Sequence, residues 1–151
     1  MYGAALMAFL HHLTAFTVVA ALAVEVALFK PPLSVLQARR LQSVDRLFGA
    51  AAGLLLAVGL LRVFYFEKGP HYYWHDLYFL TKFAAFIAAS LVSIYPTLVF
   101  VSWRATLRAG TAPVVPEEVR RRVRLCLMLE LTAIVVILAC AALMARGFGY
   151  R

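Results

Sequence analysis

The chain has 151 residues, is 64% hydrophobic and carries a formal charge of +8, with a mean hydropathy of +0.86. Soluble domains are only about half apolar by a similar count, and here the excess lies in long apolar blocks, which are typical of membrane proteins. These features exclude an ordinary soluble domain and favour anionic lipid headgroups over nucleic acid as the partner of the basic residues.

The first predicted span covers residues 4–29 and contains His11, His12 and Glu25. No Lys or Arg precedes its apolar run, so the n-region of a signal peptide is missing and we expect the span to be retained. His11 and Glu25 share one stripe of the helix, and His12 lies about 100° round from it. The helix should end at residues 30–32, because Pro cannot continue it.

The second and third predicted spans cover residues 45–66 and 76–103, and an aromatic link at 67–75 joins them. Arg62 and Lys82 lie on either side of this link, within otherwise apolar segments. An ionisable residue in such a place is energetically expensive, so each is a candidate functional residue. The alternative is that each side chain extends its charged end to the membrane interface.

The third span also contains Pro96, which should bend the helix or end its regular bonding. Ser93 and Thr97 lie on either side of it in the chain, and such hydroxyls can bond the backbone groups that a proline frees. The fourth predicted span covers residues 119–144, and Glu130 is its only internal charge.

Four spans joined by short links predict a single all-α domain, an antiparallel four-helix transmembrane bundle over residues 1–151. The first and third links with their flanks hold four and six Lys or Arg residues, whereas the second link holds only Lys68. The positive-inside rule therefore predicts that links one and three lie in the cytoplasm. Both termini should then lie on the non-cytoplasmic side. An aromatic belt is expected there, and Trp103 should mark the other interface; the belt comprises Tyr65, Tyr72, Tyr73, Trp74 and Tyr78.

This topology brings a set of cations and imidazoles together near the non-cytoplasmic side. Such a group, without a buried acid, favours an anionic ligand such as a carboxylate, a phosphate or a haem propionate. His11 or His12 would be the metal or haem ligand, the alternative being a satisfied core residue. The group comprises His11, His12, Arg62 and Lys82, with His71 and His75 above it and Glu67 and Asp76 at its rim.

A second polar layer lies at the cytoplasmic depth and contains Glu25, Asp45 and Glu130, together with Arg46 and Thr97. Pairing between the acids and the base is the usual way to tolerate such groups, and we favour this structural interpretation. A proton relay through Glu25 and Glu130 is the alternative.

The run GLLRVFYFEKGPHYYWHDLYFLTKF at 59–83, followed by SIYPT at 93–97 and then a Trp, resembles a bacterial family of membrane proteins, domain of unknown function 2214. The segments HHLTAF and VDRLFG extend the resemblance over nearly the whole chain. It implies a four-span membrane protein without implying any particular activity.

The architecture also resembles small four-helix membrane proteins such as the HemJ-type protoporphyrinogen oxidase. These proteins place a His early in span one and a Lys early in span three, and they are associated with haem b. His11 or His12 and Lys82 occupy comparable places in this sequence. The resemblance implies haem b as a cofactor, by analogy of architecture.

The leading functional hypothesis is therefore a haem b-binding redox protein or an oxidoreductase acting on a hydrophobic substrate, with a tetrapyrrole or a quinone as partner. One alternative is a non-enzymatic protein whose polar residues serve folding or assembly. Another is a small anion or metabolite carrier, working as a homo-oligomer.

The predicted orientation can be tested with single cysteines in a background that lacks Cys126 and Cys140. A cysteine in the 67–75 link should react with an impermeant thiol reagent added to intact cells. A cysteine near Arg40 or Arg108 should react only after lysis, because the Lys and Arg asymmetry places it in the cytoplasm. The reverse pattern would contradict the orientation.

Overall fold

The computed structural model describes residues 2–67 and 69–149. Lys68, which enters the charge count of the second link, lies outside the described residues. Four helices are long and apolar enough to cross a membrane, and no strand occurs in the described part of the chain. The predicted all-α membrane class is confirmed. These four helices are Tyr2–Leu28, Val35–Phe66, Leu77–Arg108 and Glu117–Ala145.

The four spans pack as two antiparallel pairs that close into a ring. The first span packs on the second and the third on the fourth, and the pairs meet where the second span contacts the third and the first contacts the fourth. The spans therefore surround a common axis in up-down order. In chain order the elements are α1 (Tyr2–Leu28), α2 (Val35–Leu61), a π-helical segment (Arg62–Phe66), α3 (Pro70–Trp74), α4 (Leu77–Ser102), α5 (Arg104–Arg108) and α6 (Glu117–Ala145).

The second helix begins at Val35, ahead of the predicted span start at residue 45. Ser34 caps it: its hydroxyl accepts a hydrogen bond from the Gln37 backbone N–H at 3.2 Å, and the Gln37 side chain accepts one from the Ser34 N–H at 2.9 Å. This reciprocal capping box satisfies two N–H groups at the start of the helix. The first turns of α2 are polar, so the helix is longer than its apolar stretch.

The best-packed part of the bundle is the half nearest links one and three, which we call the basic end. Each span contributes one side chain that is almost completely buried there: Leu22, Leu41, Phe100 and Leu127. Trp103 is buried against the Phe100 ring, with 5.1 Å between the ring centroids. The prediction that Trp103 marks a membrane interface is wrong, because its ring completes this core instead.

The α4 helix continues through Pro96, which is buried inside it. The Thr97 hydroxyl donates a hydrogen bond of 2.7 Å to the Asp45 carboxylate on α2. The expectation that Thr97 bonds a backbone group freed by the proline is therefore wrong. A carboxylate facing it from the next helix is the stronger acceptor, and the bond joins α4 to α2.

Replacing Thr97 with Val should remove this interhelical bond while keeping the shape of the side chain. We expect a loss of about 1 kcal/mol of folding free energy, within the range for hydrogen bonds between membrane helices. The measurement is reversible unfolding in mixed micelles. Thr132→Val is the matched control, because the Thr132 hydroxyl bonds only the Met128 carbonyl of its own helix. Equal costs for the two variants would contradict the bridging role of Thr97.

Candidate functional site

The opposite half of the bundle, which we call the aromatic end, contains a cavity of ≈ 520 Å³. This volume is in the range of small-molecule and cofactor sites, about 300–1,000 Å³. Side chains from α1, α2, the π-helical segment, α3, α4 and α6 form the wall. Most of the wall is apolar, and its polar members are His11, His12, Arg62, Glu67, Tyr72, Tyr73, Asp76 and Lys82. The four residues predicted from sequence as a ligand site therefore line one cavity.

The π-helical segment shapes one side of this cavity. The Glu67 N–H reaches back to the Arg62 carbonyl at 2.9 Å, which closes a turn wider than an α-turn. Within it, the Arg62 guanidinium donates a hydrogen bond of 2.6 Å to the Glu67 carboxylate, and the two side chains are 22% and 31% exposed. Such π-turns are frequent at functional sites. Arg62 is therefore already paired within the chain, although its Nε has no hydrogen-bond partner in the described part.

The two imidazoles on α1 differ in how they are held. His11 packs against Gly59: a Cβ added to that glycine would lie 3.3 Å from the His11 Cε1 atom. The His11 Nδ1 atom is buried without a hydrogen-bond partner among the described residues. His12 places its Nδ1 atom 2.6 Å from the Ala8 carbonyl oxygen. Because that oxygen can only accept, the proton lies on Nδ1 and the His12 Nε2 atom is left as an acceptor.

Lys82 supplies a cation that forms no salt bridge with a carboxylate of the described residues. Its Nζ atom lies 5.6 Å from the centroid of the Phe79 ring, within the distance of a cation–π contact. No acidic side chain of residues 2–67 or 69–149 lies within salt-bridge distance of it. The ammonium group is therefore available to an anion inside the cavity.

The cavity wall also contains a buried acid, which the sequence analysis missed. Asp76 is 1% exposed and caps α4, accepting hydrogen bonds from the Tyr78 and Phe79 N–H groups at 2.9 and 3.0 Å. The placement of Asp76 at the rim is thus wrong. Its charge is directed at the N-terminus of the helix, where a carboxylate is stabilised. An Asp directly before an apolar helical run is a sequence signal for such a cap.

The aromatic link divides its side chains between the cavity and the outside. His71 and His75 are exposed, with their rings 4.4 Å apart, and neither lines the cavity. Tyr72 and Tyr73 do line it, so these two do not serve as the predicted interfacial belt. Burial raises the pKa of the Tyr73 phenol, and the negative charge of Glu67 adds to this effect. Tyr73 is therefore a neutral hydrogen-bond donor at the cavity.

The acids of the second polar layer are buried at the basic end. Glu25, Asp45 and Glu130 are 2%, 5% and 2% exposed. Arg46 is exposed and donates to the Gln42 carbonyl at 3.1 Å, so the structural pairing with this base is not formed.

No group of three or more His, Cys, Asp or Glu side chains within the described ranges could hold a metal ion. Neither polar layer therefore offers several protein ligands to one metal ion. Haem iron differs in this respect, because the macrocycle supplies four of its ligands and one imidazole suffices.

The family model described as "Predicted membrane protein (DUF2214)" matches residues 4–149. The match includes all four spans and both polar layers, and it confirms the resemblance seen in the sequence. Comparisons with curated proteins and with solved structures give no match.

The contact between Gly59 and His11 can be tested by adding one methyl group. Gly59→Ala should displace the His11 ring by a few tenths of an ångström, because the new Cβ would stand 3.3 Å from Cε1. In protein with ¹⁵N-labelled histidine, the His11 resonances should shift in this variant. Gly53→Ala is the matched control, since a Cβ there meets nothing within 4 Å. Unchanged His11 resonances in Gly59→Ala would contradict the packing described above.

Proposed function

We propose that this chain, which belongs to the DUF2214 family of predicted membrane proteins, binds an amphipathic anionic ligand in the cavity at its aromatic end, and that the ligand is haem b. One observation carries the proposal: an apolar cavity of ≈ 520 Å³ is lined by both an imidazole with a free nitrogen and a cation without a counter-ion. Haem b has the matching parts, which are an iron atom, an apolar ring and two propionates.

His12 is suited to be the iron ligand. Metal-binding histidines almost always donate their other ring N–H to a carbonyl or carboxylate, which fixes the ring and the tautomer. The His12 bond to the Ala8 carbonyl is of this kind, and it leaves Nε2 as the coordinating atom. His11 then forms part of the wall, where its ring is packed on Gly59.

Lys82 and Arg62 are suited to hold the propionates. Lys82 has no acidic partner in the described ranges and lines the cavity. Arg62 is paired with Glu67, but this pair is partly exposed, and the Arg62 Nε atom is buried without a partner. A propionate could therefore take the place of the Glu67 carboxylate, since both present the same oxygens to the guanidinium.

Bound haem b would supply one-electron chemistry, so the proposed activity is that of an oxidoreductase. Its substrate would be hydrophobic, such as a tetrapyrrole or a quinone, because such a molecule reaches a membrane-embedded cavity through the bilayer. The Lys and Arg distribution supports the proposal that this cavity lies at the non-cytoplasmic side of a bacterial inner membrane.

Protein purified in mild detergent, or incubated with haemin, should show a Soret band that sharpens on reduction. His12→Ala should abolish the band, because the iron ligand is lost. Lys82→Ala should weaken haemin binding by about tenfold or more while leaving the spectrum in place, since a bond to a charged group contributes about 1.5–3 kcal/mol.

His71→Ala and His75→Ala are the matched controls, because both imidazoles are exposed and lie outside the cavity. These variants should bind haemin like the unaltered protein. A well-folded protein that stays colourless and takes up no haemin would contradict the proposal.

A second prediction concerns the pair of Arg62 and Glu67. Glu67→Gln should remove the ion pair that holds the Arg62 guanidinium. Haemin binding should then strengthen, because a propionate no longer has to displace the Glu67 carboxylate. The measurement is the haemin dissociation constant in detergent. Weaker binding in this variant would show that Glu67 positions Arg62 rather than competing for it.

A further inference from the structure

Three carboxyl side chains from three different spans are buried at the basic end of the bundle, far from the cavity. They are Glu25 on α1, Asp45 on α2 and Glu130 on α6. Glu25 lies fourteen residues along α1 from His11, which corresponds to about 21 Å of helix rise. The cavity ligand therefore does not explain these acids.

Two of the three carboxyl groups lack partners. The Glu25 Oε1 atom and both carboxyl oxygens of Glu130 are buried without a hydrogen bond to any described residue. Asp45 accepts its bond from Thr97. No Lys or Arg within residues 2–67 and 69–149 lies at salt-bridge distance from any of the three. A buried, unpaired carboxylate is so unfavourable that such a group neutralises by taking up a proton.

No positive charge among the described residues acts on Glu25 or Glu130. The charges of Asp45 and Glu130 act on Glu25 through repulsion. Cys126, one turn before Glu130 on α6, adds a thiol and no positive charge. On α4 the neighbouring group is the Thr97 hydroxyl, which is neutral. A cation does act on Asp45, namely Arg46 on the exposed side of α2.

A route to solvent begins at Asp45. A space of ≈ 20 Å³ lies beside this carboxylate, with Gln42, Arg46 and Arg104 in its wall. That is enough for one water molecule, which needs roughly 10–15 Å³. The same three residues also line a groove of ≈ 490 Å³ between α2 and α5. Asp45 is therefore the member of the cluster that lies next to a water-sized space, whereas neither glutamate lines this space.

We propose that Glu25 and Glu130 form a buried proton-binding site, which exchanges protons with solvent at the basic end through Asp45. Each proton taken up adds to a carboxylate oxygen and cancels its charge. Each proton released passes to Asp45 and then to water in the adjoining space. Protons suit this site better than a metal ion, because the described side chains include no group of three that could hold one. The proposal is independent of what occupies the cavity.

The test uses the purified full chain in detergent and dicyclohexylcarbodiimide, an apolar reagent that modifies protonated carboxyl groups. Mass spectrometry should locate the adduct on Glu25 or Glu130 at neutral pH, and the labelling should be lost as the pH is raised. Glu117 and Glu118 are internal controls, because both are exposed and paired with Arg120 and Arg122. They should remain unlabelled.

Glu25→Gln and Glu130→Gln should each fold and should lose the adduct at the altered position, since Gln keeps the shape but has no carboxyl group to react with the carbodiimide. Failure to label either glutamate in folded, unaltered protein at neutral pH would overturn the proposal. Protection by sodium ions at constant pH would overturn it in favour of a cation site.

The role of Asp45 has its own measurement. Asp45→Asn keeps an oxygen for the Thr97 hydroxyl but cannot relay a proton. After a rapid drop in pH, the infrared carbonyl band of the protonated glutamates should appear more slowly in this variant. An unchanged rate would overturn the assignment of Asp45 as the access group. Glu118→Gln is the control, because Glu118 is exposed and paired with Arg122, and it should leave the rate unaltered.

Discussion

The interior of a bilayer offers no water, so each polar atom of a spanning helix must be satisfied by the protein itself. Most hydroxyl groups here meet this constraint locally: Thr14, Thr17 and Thr81 each donate to a carbonyl of their own helix. The ionisable side chains that such local bonds do not satisfy lie in two layers, one at each end of the bundle. Each layer contains buried atoms that keep no partner among the described residues: the Arg62 Nε atom at the aromatic end, and the carboxyl oxygens of Glu130 at the basic end.

The two ends of the bundle differ in how completely the space between the helices is filled. At the basic end one large side chain from each span fills the space between the helices, and Thr97 ties α4 to α2. At the aromatic end the same four spans leave room for a ligand, and the packed end holds the wall of that cavity in place. Rigid support behind an open site is what keeps binding groups in position. The buried acids lie within the packed end, where only protonation or hydrogen bonding can offset the free-energy cost of burying a carboxylate.

The level of a side chain along the bundle could be predicted from the sequence, whereas the neighbour that each side chain faces could not. Counting from the ends of the apolar blocks placed His11, His12, Arg62 and Lys82 at one level, and they line one cavity. The same count could not show that Tyr72 and Tyr73 turn inward or that Trp103 packs on Phe100. Those outcomes depend on how the helices are rotated against each other. The pairing of Arg62 with Glu67 could not be predicted either, because helical side chains five residues apart meet on a π-turn and not on an α-turn.

The π-turn at the end of α2 also bears on how this architecture tolerates change in chain length. A π-turn holds one residue more than an α-turn of the same rise, so deleting a single residue from Arg62–Phe66 would convert it to ordinary α-helix. Because the deletion removes only the extra residue of one complete turn, everything beyond it would keep roughly its orientation relative to α2. The four spans would survive this lesion, because their apolar blocks are intact. Tyr72 and Tyr73 would still face the cavity, so the cavity wall would tolerate the loss of one residue at this turn.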